Sequence, residues 1–323
     1  MLTVGHERQK TFLKRAFELG RVPSAFAFVG KEGVGKKLLA LEFARGLLCE
    51  RGEAFGCGEC PSCRRVGRFV EAVRRGETEE LAYRRRDESG KERFAYLIGE
   101  HPDLALVVPD GAQIKIDQIR ALQEFVSLRP TGRRKVVIID DAGKMNPQAQ
   151  NALLKTLEEP PEDTHFVLVA SKRGELLPTV LSRCQVLEFK RLSPEEVEKV
   201  LKDLKAEVGP GLEKLLKEEG SLRYLSASEG ELELLEKLTR AGELEVEEVI
   251  KLAEEADRLE AEKKELLLEV FERWLTAQAA EGKFPLSRVE GLVRKTEEVK
   301  RGLQRGIKFK LALEVLLFEL KGF

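Results

Sequence analysis

The 323 residues carry 35% charged side chains that nearly cancel, to a net charge of −1. That balance excludes the basic excess of a general nucleic-acid coat, and no apolar run approaches the roughly 20 residues of a membrane-spanning helix. A start that turns polar at once, MLTVGHERQK, argues against a secretory leader, so a cytoplasmic chain of two or three domains with substantial cores is expected.

Residues 24–30, SAFAFVG, read as a short buried strand followed by the glycine-rich loop GKEGVGKK. From 36 to 48 the residues Leu39, Phe43, Ala44 and Leu47 fall at helical spacing. Four of the five cysteines come next, within residues 49–63. The segment 64–100 has mixed charge; it reads as a solvated helix pair, with contact of its arginines to nucleic acid as the second possibility. KVVIID (135–140) and HFVLVAS (165–171) are further strands. Between them Asn146 is placed to cap a helix, with Pro147 at its first position and Pro160 to stop it. Alternating strands and helices predict a parallel sheet covered on both faces.

From Ser193 the pattern turns helical, opening on a capping box between Ser193 and Glu196 with Pro194 in the first turn. Glycines within 209–211 and at 220, 230 and 242 break the helical pattern, and 242–323 reads as several amphipathic helices. The fold class expected is an α/β P-loop core, then a small helical domain, then an all-α bundle. The boundaries are 1–191, 192–241 and 242–323, with the cysteine module at about 49–63 and the charged insertion at about 64–100 of the first domain.

Two motifs carry chemistry. In the pattern G-x-x-x-x-G-K-[ST], backbone N–H groups and a helix N-terminus surround phosphates while the lysine meets the outer ones. Gly30, Gly35 and Lys36 satisfy it and Gly33, with Gly35, permits close approach of the backbone, but the eighth position, which needs a hydroxyl for magnesium, is Lys37. Asp140 ends a hydrophobic strand, where the second magnesium element belongs, and is followed by Asp141. These features predict a phosphate site in which nucleotide binding stays open and fast hydrolysis does not. The cysteines Cys49, Cys57, Cys60 and Cys63 run C-x7-C-x2-C-x2-C. A closed, structural zinc site is the first expectation; an iron–sulfur cluster and free thiols are the alternatives.

Taken in order, VGHERQ, the glycine loop, the cysteine module, HPDLALVVPDG, the run IKIDQIRALQ through FVLVAS, and LPTVLSRCQ cover most of residues 1–190. This set resembles the AAA+ clamp-loader subunits of bacterial DNA polymerase III, most closely the delta-prime type. Active members of that class follow the strand-end aspartate with a glutamate, where Asp141 stands here. The resemblance implies that Arg183, in SRC at 182–184, is an arginine finger acting in trans on a neighbour's ATP. Ser171 falls at the first sensor position, Arg223 in GSLR resembles the second sensor, and Cys184 is expected to be buried. It implies partners too: motor subunits and delta, the sliding clamp, and primed DNA through the complex, with no membrane. The chain itself would lack significant ATPase activity. A tau/gamma-type ATP-hydrolysing motor subunit and a stand-alone zinc-containing nucleic-acid-binding protein are the competing readings.

Overall fold

The computed structural model describes residues 3–86, 90–226, 229–303 and 305–322, which divide into two compact units, Met1–Arg191 and Leu192–Phe323. In the first unit α1 (Glu7–Glu18) leads into β1 (Ala25–Gly30) and α2 (Lys36–Leu47). Then come α3 (Pro61–Arg75), β2 (Ala82–Arg86), β3 (Glu92–Ile98), β4 (Leu104–Val107) and α4 (Ile116–Ser127). β5 (Lys135–Ile139), α5 (Pro147–Glu158), β6 (Thr164–Ala170), the one-turn α6 (Pro178–Leu181) and β7 (Gln185–Phe189) complete it.

The strands lie in the order β2-β3-β4-β5-β6-β1-β7. Strands β4, β5, β6, β1 and β7 are mutually parallel, whereas the pairs β2–β3 and β3–β4 are antiparallel. Sequence explains the central strands directly. β5 and β6 are buried along their whole length, so a continuous apolar run, not an alternating one, is what a sheet covered on both faces requires. One face sets Ala27, Val137, Phe166 and Leu168 in a core with Ile119 and Leu122 of α4 and Leu153 of α5. On the other, Phe26 meets Phe43 of α2 edge-on at 5.8 Å. Each such phenylalanine, wholly enclosed, contributes about 2–3 kcal/mol by leaving water.

Two local signals act as expected. Asn146 accepts the Ala149 N–H at 2.8 Å ahead of Pro147, capping α5. In the second unit Ser193 and Glu196 exchange both bonds of a capping box at the head of α7 (Pro194–Leu204). That unit continues with α8 (Pro210–Glu219), α9 (Glu229–Thr239), α10 (Val246–Asp257), α11 (Ala261–Ala280), α12 (Leu286–Leu303) and α13 (Phe309–Lys321). Leu268, Phe271 and Leu275 of α11 and Leu313, Leu316 and Leu317 of α13 are enclosed.

Two expectations are corrected. The segment 64–100 is not a helix pair: α3 takes its first part, and β2 and β3 form a hairpin at the sheet edge. Residues 87–89 of that segment lie outside the described ones. Ala95, Tyr96 and Leu97 are buried on β3, and this packing outweighs the helical appearance of the charge run. The exposed Arg84, Arg85 and Arg86 fit an edge strand, where charge discourages further pairing. Gly211 and Gly230, read as breaks, fall in the first turns of α8 and α9. At Gly211 the cause is packing: a Cβ there would lie 2.1 Å from Thr239 Oγ1 of α9.

Candidate nucleotide site and cysteine centre

Because β5, β6 and β1 are parallel neighbours, their C-terminal ends open onto one edge of the sheet, where ligands bind in open α/β folds. Three stretches far apart in sequence therefore meet: the loop after Gly30, the pair Asp140–Asp141, and Ser171. The loop's backbone depends on glycine. A Cβ on Gly30 would sit 2.3 Å from the Phe189 carbonyl oxygen of β7, and Gly33 and Gly35 have φ of +72° and +97°. His6, left-handed at φ +61°, lies 2.6 Å through Nε2 from the Val34 carbonyl oxygen and braces the loop from the N-terminal side.

Lys36 is buried, with Nζ donating to the carbonyls of Gly30 at 2.5 Å and Lys31 at 2.6 Å. Burial pulls its pKa below the ordinary lysine value, opposed by the charges of Asp140, Glu32, Asp141 and Glu175. Lys37 places Nζ 2.9 Å from Asp140 Oδ2. Burial works to lower the Lys37 pKa, but the charge and hydrogen bond of Asp140, with Asp141 behind, prevail and raise it. Asp141, at φ +46°, pairs with Lys144 at 3.2 Å. Asp140, the carboxylate expected to serve magnesium, and Asp141, which stands in the place of the family's glutamate, thus each hold a lysine of the same chain. Ser171 Oγ donates to Glu32 Oε1 at 3.2 Å, tying the loop to the end of β6, and the Ser171 N–H donates to Glu175 at 3.0 Å.

The other expected site residues make pairings of their own. Arg183 follows α6, and its guanidinium is half-buried against its own chain. It pairs with Glu158 at the end of α5 and donates to the Thr179 carbonyl at 2.7 Å and to Ser182 Oγ at 3.3 Å. Arg223 belongs to the helical unit, where it pairs with Glu269 of α11 at 2.8 Å. Cys184, expected to be buried, is half-buried against the sheet core, and burial pushes its thiol up to about 12. Sequence reasoning did not single out Glu32, Lys144, Glu158 or Glu269. Nothing in their spacing marks them, since each acts through a tertiary pairing.

The cysteines converge. Cys49 lies just past the end of α2, Cys57 in the loop, Cys60 at the N-cap of α3 and Cys63 in its first turn, and the four sulfurs lie within 4.8 Å of one another. The Cys57 and Cys63 sulfurs are 3.9 Å apart, close to the edge of about 3.8 Å that a tetrahedron of metal–sulfur bonds of about 2.3 Å implies. Backbone N–H groups already point at sulfur: Cys60 N–H to Cys57 Sγ at 3.3 Å and Cys63 N–H to Cys60 Sγ at 3.4 Å. Burial raises the Cys49 thiol, but backbone N–H donation from Glu53, Cys57 and Arg51 brings it down to about 6. Burial and the sulfurs of Cys60 and Cys49 raise that of Cys63. Such a set accommodates all four thiolates only around a cation, so the centre can hold a metal ion. Gly46 seats it on α2, since a Cβ there would lie 1.9 Å from the Ala54 carbonyl oxygen.

The family model described as "DNA polymerase III, delta subunit" matches residues 5–72 and 84–193, more than half of the chain. The chain belongs to this family. The matched stretches hold the glycine loop, all four clustered cysteines, Asp140, Ser171 and Arg183, while residues 73–83, entering the hairpin, fall between them. A Bacillus subtilis strain 168 relative, DNA polymerase III subunit delta', is 37% identical over 210 residues, 65% of this chain and 54% of its own length. The Escherichia coli strain K12 subunit tau is 32% identical over 234 residues, 71% of this chain and 30% of the relative. The chain thus spans about half, or less, of the curated relatives it matches. Among solved structures, a Thermotoga maritima gamma subunit-related protein of DNA polymerase III superposes with a TM-score of 0.53. It is 21% identical, with 97% of this chain and 99% of that one covered, a likeness of fold. No described helix is long and apolar enough to cross a membrane.

Proposed function

We propose that this chain is a delta-prime-type subunit of the DNA polymerase III clamp loader, a cytoplasmic assembly that sets the sliding clamp on primed DNA, and that it serves there without hydrolysing ATP. The observation that carries this reading is the ion pair between Lys37 and Asp140. Magnesium at this sheet edge would need a hydroxyl at position 37 and a free carboxylate at 140. It would find an ammonium already on that carboxylate, and a dication brought within about 4 Å of it is opposed by several kcal/mol even at an effective dielectric of about 20. Nucleotide held by Gly30, Gly33, Gly35 and Lys36 without turnover is compatible with this role.

In this reading Arg183 completes the ATP site of a neighbouring motor subunit, with Ser171 and Arg223 in the two sensor positions. The cysteine centre holds one structural zinc through Cys49, Cys57, Cys60 and Cys63: four sulfurs close the shell and leave no position for a reacting water. Residues 192–241 form a lid and 242–323 a collar for assembly with motor subunits and delta. Two exposed apolar pairs at i,i+4 spacing support the collar role: Val246 and Ile250 on α10, Leu311 and Val315 on α13, two helices that pack on each other.

The reading of a tau/gamma-type motor subunit has the identity to the Escherichia coli tau subunit in its favour. Lys37 and its pairing weigh against it. Mixing the chain with motor and delta subunits, then following clamp loading on primed DNA, tests the proposal. A complex that loads the clamp only when this chain is present supports it; a chain that joins no such complex contradicts it.

A further inference from the structure

Arg183 has five N–H donors and spends them unevenly. Nη1 donates to the Thr179 carbonyl oxygen and to Ser182 Oγ, and Nη2 donates to Glu158. Nε is enclosed and has no acceptor among the described residues. A guanidinium left to itself would turn Nε toward water. Here two anchors from separate elements fix the plane instead: the carbonyl of Thr179 in α6 and the carboxylate of Glu158 at the last position of α5. One of them supplies the counter-charge that makes the enclosed pose tolerable. The remaining Nη2 hydrogen has no protein acceptor among the described residues.

We propose that Glu158 is a positioning residue for Arg183: it fixes the guanidinium plane so that the remaining Nη2 hydrogen is presented to a phosphate oxygen of a nucleotide held by the neighbouring subunit. This rests on the reading of Arg183 as a finger in trans. A fork held in one orientation gives more in the transition state than a freely turning one, because its ordering precedes the reaction. Glu158 touches neither the nucleotide nor the attacking water in this scheme; it acts only through Arg183. Its effect therefore belongs in kcat, where charge develops on the transferred group, and not in the KM for ATP.

The test uses assemblies of this chain with an ATP-hydrolysing family member, comparing wild type, Arg183→Ala, Glu158→Ala, Glu158→Gln and the double variant Glu158→Ala/Arg183→Ala. Glu158→Ala should lower kcat on the order of tenfold or more, with the KM for ATP within about twofold of wild type. Glu158→Gln, which keeps an acceptor oxygen, should retain more activity than Glu158→Ala. The double variant should be no slower than Arg183→Ala, since the carboxylate has nothing to position once the guanidinium is gone. A purely structural Glu158 would instead lower the melting temperature and add its loss to that of Arg183→Ala. If Glu158→Ala leaves kcat unchanged or raises it while Arg183→Ala lowers it, the positioning role is overturned and the finger stands. If Arg183→Ala itself leaves kcat unchanged in a properly formed assembly, both fall.

Discussion

Lys37 Nζ stands 2.9 Å from Asp140 Oδ2, joining the first turn of the helix after the glycine loop to the end of a strand about one hundred residues further on. On the function proposed above, the pair closes the place where a metal-dependent nucleotide site would admit its ion. Replacing Lys37→Thr frees Asp140 and supplies the missing hydroxyl. Magnesium should then tighten ATP binding by about tenfold or more, whereas for the wild-type chain it should change affinity by no more than about twofold. Titration calorimetry with magnesium and with chelator measures both, and equal magnesium dependence in the two proteins would remove Lys37 from the account.

The cysteine centre should contain about one zinc per chain by elemental analysis. Cys60→Ser removes a thiolate while keeping an oxygen that can accept the Cys63 N–H at the head of α3, so it tests the metal and not the helix cap. It should lose the metal and loosen residues 49–63, while far-ultraviolet dichroism of the α/β core stays close to wild type. A metal-free wild type with four titratable thiols would refute the assignment.

Two of the three histidines are buried with their pKa values held below the ordinary 6.5: His101 by burial, outweighing Asp103, and His165 by burial, outweighing its bond to the Pro23 carbonyl. The unfolded chain therefore binds protons more readily, and stability is lost as pH falls below about 6.5 toward the folded-state values. His101 Nε2 also lies 2.8 Å from Ser62 Oγ. Denaturant midpoints at pH 7.5 and 5.5 should differ in wild type and differ less in His165→Gln; a wild-type midpoint unchanged over that interval would contradict the sign.

Leu311 and Val315 are exposed on α13, at 52% and 55%. Changing both to Asp should leave the melting temperature of the isolated chain within a few degrees, because no buried contact is lost. Entry into an assembly with motor and delta subunits, followed by size-exclusion chromatography, should fall at least tenfold in apparent affinity. Undiminished assembly would place the contact elsewhere.

What was legible in the sequence was local. GKEGVGKK could be read as a phosphate loop because its glycines need φ angles other residues avoid, and Asn146-Pro147 and Ser193-Pro194 announce helix starts by chemistry confined to four residues. The cysteine spacing likewise turns the chain back on itself within fifteen residues. The hairpin was not legible. In 82–98 the arginines mask the strand alternation, and the register shifts between Tyr83 and Arg84, so burial of Ala95 to Leu97 against the sheet decides what periodicity does not. Lys37 could be seen to disfavour magnesium, but its bond to Asp140 depends on the strand order, which no window of sequence contains. The same holds for Arg183, whose pairing with Glu158 joins elements separated by β6.

Steady-state ATP turnover by the purified, isolated chain in excess magnesium decides whether the sheet edge is a working ATPase site. With Lys37 on Asp140 and Lys144 on Asp141, release of phosphate should not rise above the protein-free background, and Lys37→Thr combined with Asp141→Glu should raise it measurably. Magnesium-dependent turnover by the unaltered chain, in the range of about 1 per second typical of slow enzymes, would contradict the account.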